Sequence, residues 1–226
     1  MRPTYENVYI SSFIFSLGYL FRNASKGDLA SVSIDLYQQV TSGERLIGDL
    51  LTSIGGKNII VEFKRDSSGI PGEFEKKSKK DLRKLLDADD VEFQAISKKC
   101  HFLSYAARYD NGASTLAFCP YIDLYKNNKD CVVLGNKDFS SKYVDSSNTQ
   151  IGVNESEFKY YIDKLASSTG GTCGGMAISI DKDGIKSMVV FDDIKELSQS
   201  LNLAEQRAEK MIQSKEPSSP SMGMRR

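Results

Sequence analysis

The stretch RLIGDLLTSIGGKNIIVEFKR, residues 45 to 65, constrains the fold more than any other part of the chain. It sets two apolar runs on either side of Gly55-Gly56. A glycine pair between such runs marks a tight β-hairpin, because a two-residue turn needs backbone with positive φ. With a two-residue loop Ile54 faces Lys57, and counting outward sets Asp49 opposite Glu62. Residues paired across strands share a face, with their β-carbons about 5 Å apart. Side chains alternate along a strand, so Lys64 joins that face one pleat further on. A four-residue loop keeps the two acids on the same parity, whereas an odd loop without a bulge turns Asp49 away.

Three charged residues therefore converge where Ile59, Ile60 and Val61 promise a core. Adjacent carboxylates raise each other's pKa unless a cation lies between them. A hard divalent ion, Mg²⁺ or Mn²⁺, suits oxygen ligands and keeps several waters. A lysine beside it can orient or deprotonate an attacking water, or neutralise charge developing on a phosphate. The pattern points to phosphodiester hydrolysis by Asp49, Glu62 and Lys64 on a face that opens into a cleft. The competing reading is an exposed hairpin in which Glu62 and Lys64 simply face water.

Asp49, twelve intervening residues and Glu62-Phe63-Lys64 resemble the motif of the PD-(D/E)XK nuclease superfamily. The likeness includes a helix before the hairpin, an apolar run leading into the E-x-K and a helix soon after. It covers roughly residues 26 to 125, with Gly48 standing where many members have proline. The resemblance implies an α/β fold of the restriction-endonuclease-like kind, a mixed sheet flanked by helices. It implies that Asp49, Glu62 and the main-chain carbonyl of Phe63 bind Mg²⁺ while Lys64 serves the nucleophilic water. Many members carry a glutamate on the preceding helix, a role for which Asp35 and Glu44 are the candidates. The implied substrate is DNA, with RNA not excluded, and the implied setting is the effector subunit of a bacterial anti-phage or restriction system.

Lys plus Arg and Asp plus Glu both total 30, which argues against a chain whose whole surface grips nucleic acid. A local patch is still open. Arg65, Lys76, Lys77, Lys79, Lys80, Arg83 and Lys84 follow the motif, and Arg65, Lys76, Lys80 and Lys84 are the candidates for phosphate contacts. A solvated helix face, offset by Glu73, Glu75, Asp87, Asp89 and Asp90, explains the same cluster. Cys100, Cys119, Cys131 and Cys173 form no C-x-x-C pair, and His101 is the sole histidine. That excludes a structural zinc site of the usual kind and predicts reduced, mostly buried thiols in a cytoplasmic protein. His101 reads as structural. The glycines of TGGTCGG, residues 169 to 175, precede a strand rather than a helix, which argues against a nucleotide loop. Tyr105 and Tyr109 read as core residues rather than base-stacking platforms.

Residues 5 to 23 predict an aromatic-rich helix. Its VYISSFIFSLGYLF run is 14 residues long, short of the roughly 20 a membrane span needs. Apolar on every side, it predicts burial against more than one neighbour, hence a homo-oligomer or a partner subunit. A second helix is expected over 24 to 43, with Leu29, Val32, Leu36 and Val40 at helical spacing. SSGIPG, residues 67 to 72, predicts a loop, and residues 73 to 88 an amphipathic helix with Phe74, Ser78, Leu82 and Leu85 on one face. Strands are expected at 101 to 109 and 114 to 125 around the DNGA turn, and a hairpin over 174 to 193 turning at DKDG. Residues 126 to 150 are weakly patterned, 155 to 166 and 193 to 213 predict helices, and 214 to 226 predict a disordered tail. The expected organisation is one nuclease-like domain over 1 to 213, its core about 26 to 125 and a C-terminal elaboration beyond. A second function, of another class, is a non-catalytic interaction subunit that keeps the scaffold.

Overall fold

The computed structural model of the chain describes residues 6–24, 32–36, 50–54, 56–76, 79–108, 114–169, 175–181 and 184–191. The apolar N-terminal stretch forms α1, Glu6–Ala24, as expected. Among the described residues no helix is long and apolar enough to cross a membrane. Where the sequence predicts a second helix, Val32–Leu36 is instead a strand, β1. VSIDL satisfies both periods at once. Its apolar residues alternate with Ser33 and Asp35, and a strand on either flank supplies a full set of pairing partners.

The glycine-pair segment folds as the expected hairpin of β2, Leu50–Ile54, and β3, Lys57–Lys64. Ile54 pairs with Lys57, so two residues make the turn, and Gly56 takes a φ of 76°. After β3 comes a short 3₁₀ turn, Ser67–Gly69, and then α2, Ile70–Glu75, which begins inside the expected loop because Pro71 suits a helix's first turn. The amphipathic helix expected over 73 to 88 is broken. α2 ends at Glu75, Lys76 adopts an extended ψ of 133°, and α3 runs Lys80–Asp87. Arg83 explains the break. Its guanidinium donates to the main-chain carbonyls of Phe74 and Lys76, acceptors that a continuous helix would engage itself.

α4, Val91–Cys100, which the sequence reading missed, is capped by the Asp90 carboxylate accepting from Phe93 N at 2.9 Å. It leads directly into β4, His101–Arg108, followed by β5, Ser114–Pro120. The second expected strand stops there, and Tyr121–Tyr125 forms the short helix α5, since proline ends strand pairing by lacking an N–H. The weakly patterned middle holds β6, Leu134–Gly135, and α6, Asn136–Val144. α7 is Glu155–Thr169. Its start is a reciprocal cap in which Asn154 Oδ1 accepts from Glu157 N at 2.9 Å and Glu157 Oε2 from Asn154 N at 3.1 Å. The expected hairpin follows as β7, Gly175–Asp181, and β8, Gly184–Phe191. The helix expected over 193 to 213 and the tail over 214 to 226 lie outside the described residues.

The strands form one mixed sheet in the order β6-β5-β4-β3-β2-β1-β7-β8. Its neighbours are antiparallel except β3 and β4, which run parallel. A parallel pair requires a crossover, and α2, α3 and α4 supply it. The C-terminal hairpin extends this sheet beside β1. Helices cover both faces, so the chain is α/β with a mixed sheet between helical layers. On one face Ile60 and Leu103 pack with Leu82, Phe93 and Tyr161; on the other Val61 and Phe63 pack with Phe13, Leu17 and Phe139. β3 is buried from Asn58 to Lys64, which is why its sequence reads as a run rather than an alternation.

The thiols differ from expectation. Cys119 and Cys131 form a disulfide with their α-carbons 6.9 Å apart. Cys119 lies on β5, and the chain returns through α5 to pair β6 against β5, which brings Cys131 back beside it. Nothing in the spacing of the four cysteines announces that return. Cys100 is a buried free thiol, as expected, and Cys173 lies outside the described residues.

Candidate active site

β3 places Glu62 and Lys64 on one face of the sheet's interior. Ile60, Glu62 and Lys64 alternate with Val61 and Phe63, and they stand opposite His101, Leu103 and Tyr105 of the parallel β4. The ladder with β2 is described as far as Leu50↔Val61. Asp49, the residue before Leu50, lies outside the described residues. The expected proximity of Glu62 and Lys64 is present: the Lys64 ammonium donates to Glu62 Oε1 and, at 2.9 Å, to the main-chain oxygen of Phe63.

The expected cleft differs. Glu62 is 2% exposed and Lys64 8%, and Glu73 of α2 and Lys79 lie against them. The sequence reading did not assign these last two to the site. Glu73 Oε2 of α2 lies 3.1 Å from Lys64 Nζ. Lys79, buried, sets its ammonium 3.3 Å from Glu62 Oε2 and 3.3 Å from Glu73 Oε1. The result is a ring of alternating charge, Glu62, Lys64, Glu73, Lys79, joined from outside by Lys76 Nζ at 2.6 Å from Glu73 Oε2. Lys79 also stands 5.9 Å above the Tyr121 ring. The sequence holds one faint sign of this, the three-residue steps from Glu73 to Lys76 to Lys79, but a continuous helix would have spent those steps on its own surface.

Burial by itself pushes the Glu62 carboxyl upward, and the Lys79 and Lys64 ammoniums more than offset it, holding Glu62 down at about 2. Glu62 is therefore a carboxylate at neutral pH. Burial raises the Tyr121 phenol well above its ordinary range, and the Glu73 and Glu62 charges push it the same way, so it is a neutral hydroxyl. That hydroxyl is buried and makes no hydrogen bond among the described residues. Charges this deep are tolerated only in opposite pairs, since each ion alone costs several kcal/mol to desolvate.

The other sequence-predicted residues divide. Lys76 reaches the ring through Glu73. Arg65 is exposed just beyond Lys64, and Lys80 and Lys84 are exposed on α3, Lys84 engaged with Asp81 Oδ1 at 2.6 Å. Neither of the last two pairs with the buried carboxylates, as a solvated face requires. Asp35 lies on a strand, so the expected helical acid is not there, and Glu44 lies outside the described residues. His101 is structural as expected, stacked on Tyr121 at 4.6 Å with Nδ1 2.8 Å from the Tyr161 hydroxyl. Tyr105 packs against the core, and Tyr109 lies outside the described residues.

A divalent ion can be tested against this donor set. Among the described residues no three Asp, Glu, His or Cys side chains cluster as a ready-made metal site. Two carboxylates and one main-chain carbonyl do converge, on a point held by the Lys64 ammonium. The donors are all oxygen, the type a hard cation takes, and in this structure the ammoniums of Lys64, Lys76 and Lys79 balance them. Comparison with protein-family models, with curated proteins and with solved structures finds no match to this chain, so the meaning of the site rests on its own geometry.

Proposed function

We propose that this chain is a Mg²⁺-dependent nuclease of the PD-(D/E)XK type, hydrolysing phosphodiester bonds of DNA, with Asp49, Glu62 and the Phe63 carbonyl holding the ion and Lys64 serving the attacking water. The observation that carries the reading is the convergence of Glu62 Oε1 and the Phe63 carbonyl on the Lys64 ammonium, inside the sheet's central strand. The two-residue turn supports Asp49 as the third member, since it is the turn on which the Asp49–Glu62 pairing depends. The mixed sheet with helices after the hairpin supports the restriction-endonuclease-like form of the fold, whereas the element directly before the hairpin is the strand β1 and not the helix that the resemblance implies.

Mg²⁺ at such a site supplies Lewis-acid chemistry, lowering the pKa of a bound water and neutralising phosphate charge. The residues of the chain do the rest. Glu62, ionised throughout the physiological range, is ready to bind a cation without losing a proton. Lys64, reaching the same oxygens, is positioned to orient the water and to neutralise charge building on the phosphate. Arg65, Lys76, Lys80 and Lys84, all exposed, are available to phosphates flanking the scissile bond. Access requires the α2 cover to move, which assigns α2 the part of a lid. The proposed setting is the cytoplasm of a bacterium, in an anti-phage or restriction system. The Cys119–Cys131 disulfide is a feature that the reducing conditions of that setting do not favour.

A second reading has its own observation. α1 leaves Phe15 77%, Tyr19 64% and Val8 48% exposed, and with Ser12 these residues follow a four-three-four spacing suited to a helix pair. A homodimer through α1 fits either function, and a non-catalytic subunit would use nothing else.

Incubation of the purified protein with plasmid, linear DNA and RNA, in Mg²⁺, Mn²⁺ or EDTA, separates the readings. The nuclease cleaves with metal, stops in EDTA, and is inactive as Asp49→Ala. Equal residual nicking by wild type and variant marks contamination and leaves the interaction subunit.

A further inference from the structure

Building on the nuclease reading, we infer that Glu73 is a further ligand of the divalent cation, and that Lys79 is the positioning residue that aims both glutamates at it. The geometry divides each carboxylate in two. Lys79 Nζ holds the outer oxygens, Oε2 of Glu62 and Oε1 of Glu73, each at 3.3 Å. The inner oxygens, Oε1 of Glu62 and Oε2 of Glu73, meet with the Phe63 carbonyl around Lys64 Nζ, which sits 2.9 Å from the carbonyl and 3.1 Å from Glu73, while Lys76 Nζ reaches the same Glu73 oxygen from outside at 2.6 Å. One fully buried ammonium thus fixes the orientation of two acids from two different elements.

Glu73 is held by ion pairs from three lysines. It touches the ammoniums of Lys64, Lys76 and Lys79, yet neither of its oxygens makes a hydrogen bond of good geometry among the described residues. A buried carboxylate ordinarily collects directional donors. A metal ion asks for charge and distance more than for a donor's angle, and a carboxylate held by charge alone is suited to it. The ring under Lys79 is that of Tyr121, whose hydroxyl is a second buried polar group without a hydrogen bond among the described residues. Glu62, Glu73 and the Phe63 carbonyl would hold the ion, and Lys64, which reaches the same oxygens, would stand beside it to serve the water. Lys76, 48% exposed, can leave Glu73 without being buried unpaired.

Two measurements test this. Mn²⁺ uptake is followed by the loss of the free-ion electron paramagnetic resonance signal, for wild type, Glu62→Gln, Glu73→Gln and the charge-balanced double variant Glu73→Gln/Lys79→Met. Loss of the ligand is expected to weaken Mn²⁺ affinity at least about tenfold, in the single or the double variant, whichever retains the wild-type near-ultraviolet circular dichroism. Wild-type crystals soaked in Mn²⁺ and measured at its absorption edge then locate the ion without any substitution. An anomalous peak about 2.1 Å from a Glu73 oxygen supports the assignment. A peak on Glu62 that leaves Glu73 out, or a folded Glu73 variant that binds Mn²⁺ as wild type does, overturns the role of Glu73 and leaves the nuclease reading standing. A wild type that takes up no Mn²⁺ in either measurement overturns both.

Discussion

Lys79 is the residue on which the buried charges turn. With Lys79 fully covered and paired with both glutamates, its replacement by methionine keeps the volume and leaves the two carboxylates to Lys64 and the half-exposed Lys76. Breaking a buried ion pair from one side costs about 3–5 kcal/mol. Urea unfolding of Lys79→Met should show a loss of that order, partly recovered when Glu73→Gln is added; an unchanged midpoint would mean the ring is not formed. The pH dependence follows from Glu62. Its pKa is lower folded than unfolded, so its contribution to stability is complete above the unfolded value, near 4.5, and drains away as pH falls toward 2. Wild type should lose stability across that window, and Glu62→Gln should lose distinctly less there. At this scale the sequence was legible where the period of two decides the outcome. Glu62 and Lys64 share a face because a strand allows nothing else. Glu73 and Lys79 were not legible, because they meet the pair through a kink at Lys76 that the helical pattern of residues 73 to 88 conceals.

That kink belongs to the scale of elements. The corner between α2 and α3 carries both Glu73 and Lys79, and Arg83 closes it by donating to the carbonyls of Phe74 and Lys76. Arg83→Met removes those donors from the corner. It should cost about 1.5–3 kcal/mol and raise amide hydrogen exchange at residues 74 to 76 and 79 to 80 ahead of the rest. Uniform exchange would contradict the corner's dependence on Arg83. On the other side of the sheet, Lys57 holds the end of α6, donating to the carbonyls of Lys142 at 3.0 Å and Asp145 at 2.7 Å. Gly152 runs tightly against it. A Cβ there would stand 2.8 Å from Lys57 Cβ, on backbone with φ of 86°. Gly152→Ala is therefore expected to destabilise by about 1–3 kcal/mol, read as a lowered urea midpoint. Elements with strong local signals were readable in advance: α1, the hairpin at Gly55-Gly56, α7 and the β7–β8 hairpin. β1 was misread because VSIDL fits both periods, and only its neighbours choose between them.

Across the whole molecule, the hairpins were legible and the long-range joins were not. Local spacing fixes which residues turn back on each other. It does not say that β1 pairs with β7, that β4 runs parallel to β3, or that Cys131 returns to Cys119. The crossover between β3 and the parallel β4 brings Glu73 and Lys79 onto the face on which Glu62 and Lys64 stand, turning an expected open cleft into a covered ring. Their cover makes the lid a requirement of the nuclease reading, and it leaves the chemistry of the central strand as the claim to be tested first. The direct measurement is the rate of Mg²⁺-dependent plasmid cleavage by wild type and by Lys64→Met, each checked for cooperative unfolding. Metal-dependent cleavage by wild type that falls at least about 100-fold in a folded Lys64→Met is the expected result. Cleavage that proceeds equally in both, or that ignores EDTA, would contradict it.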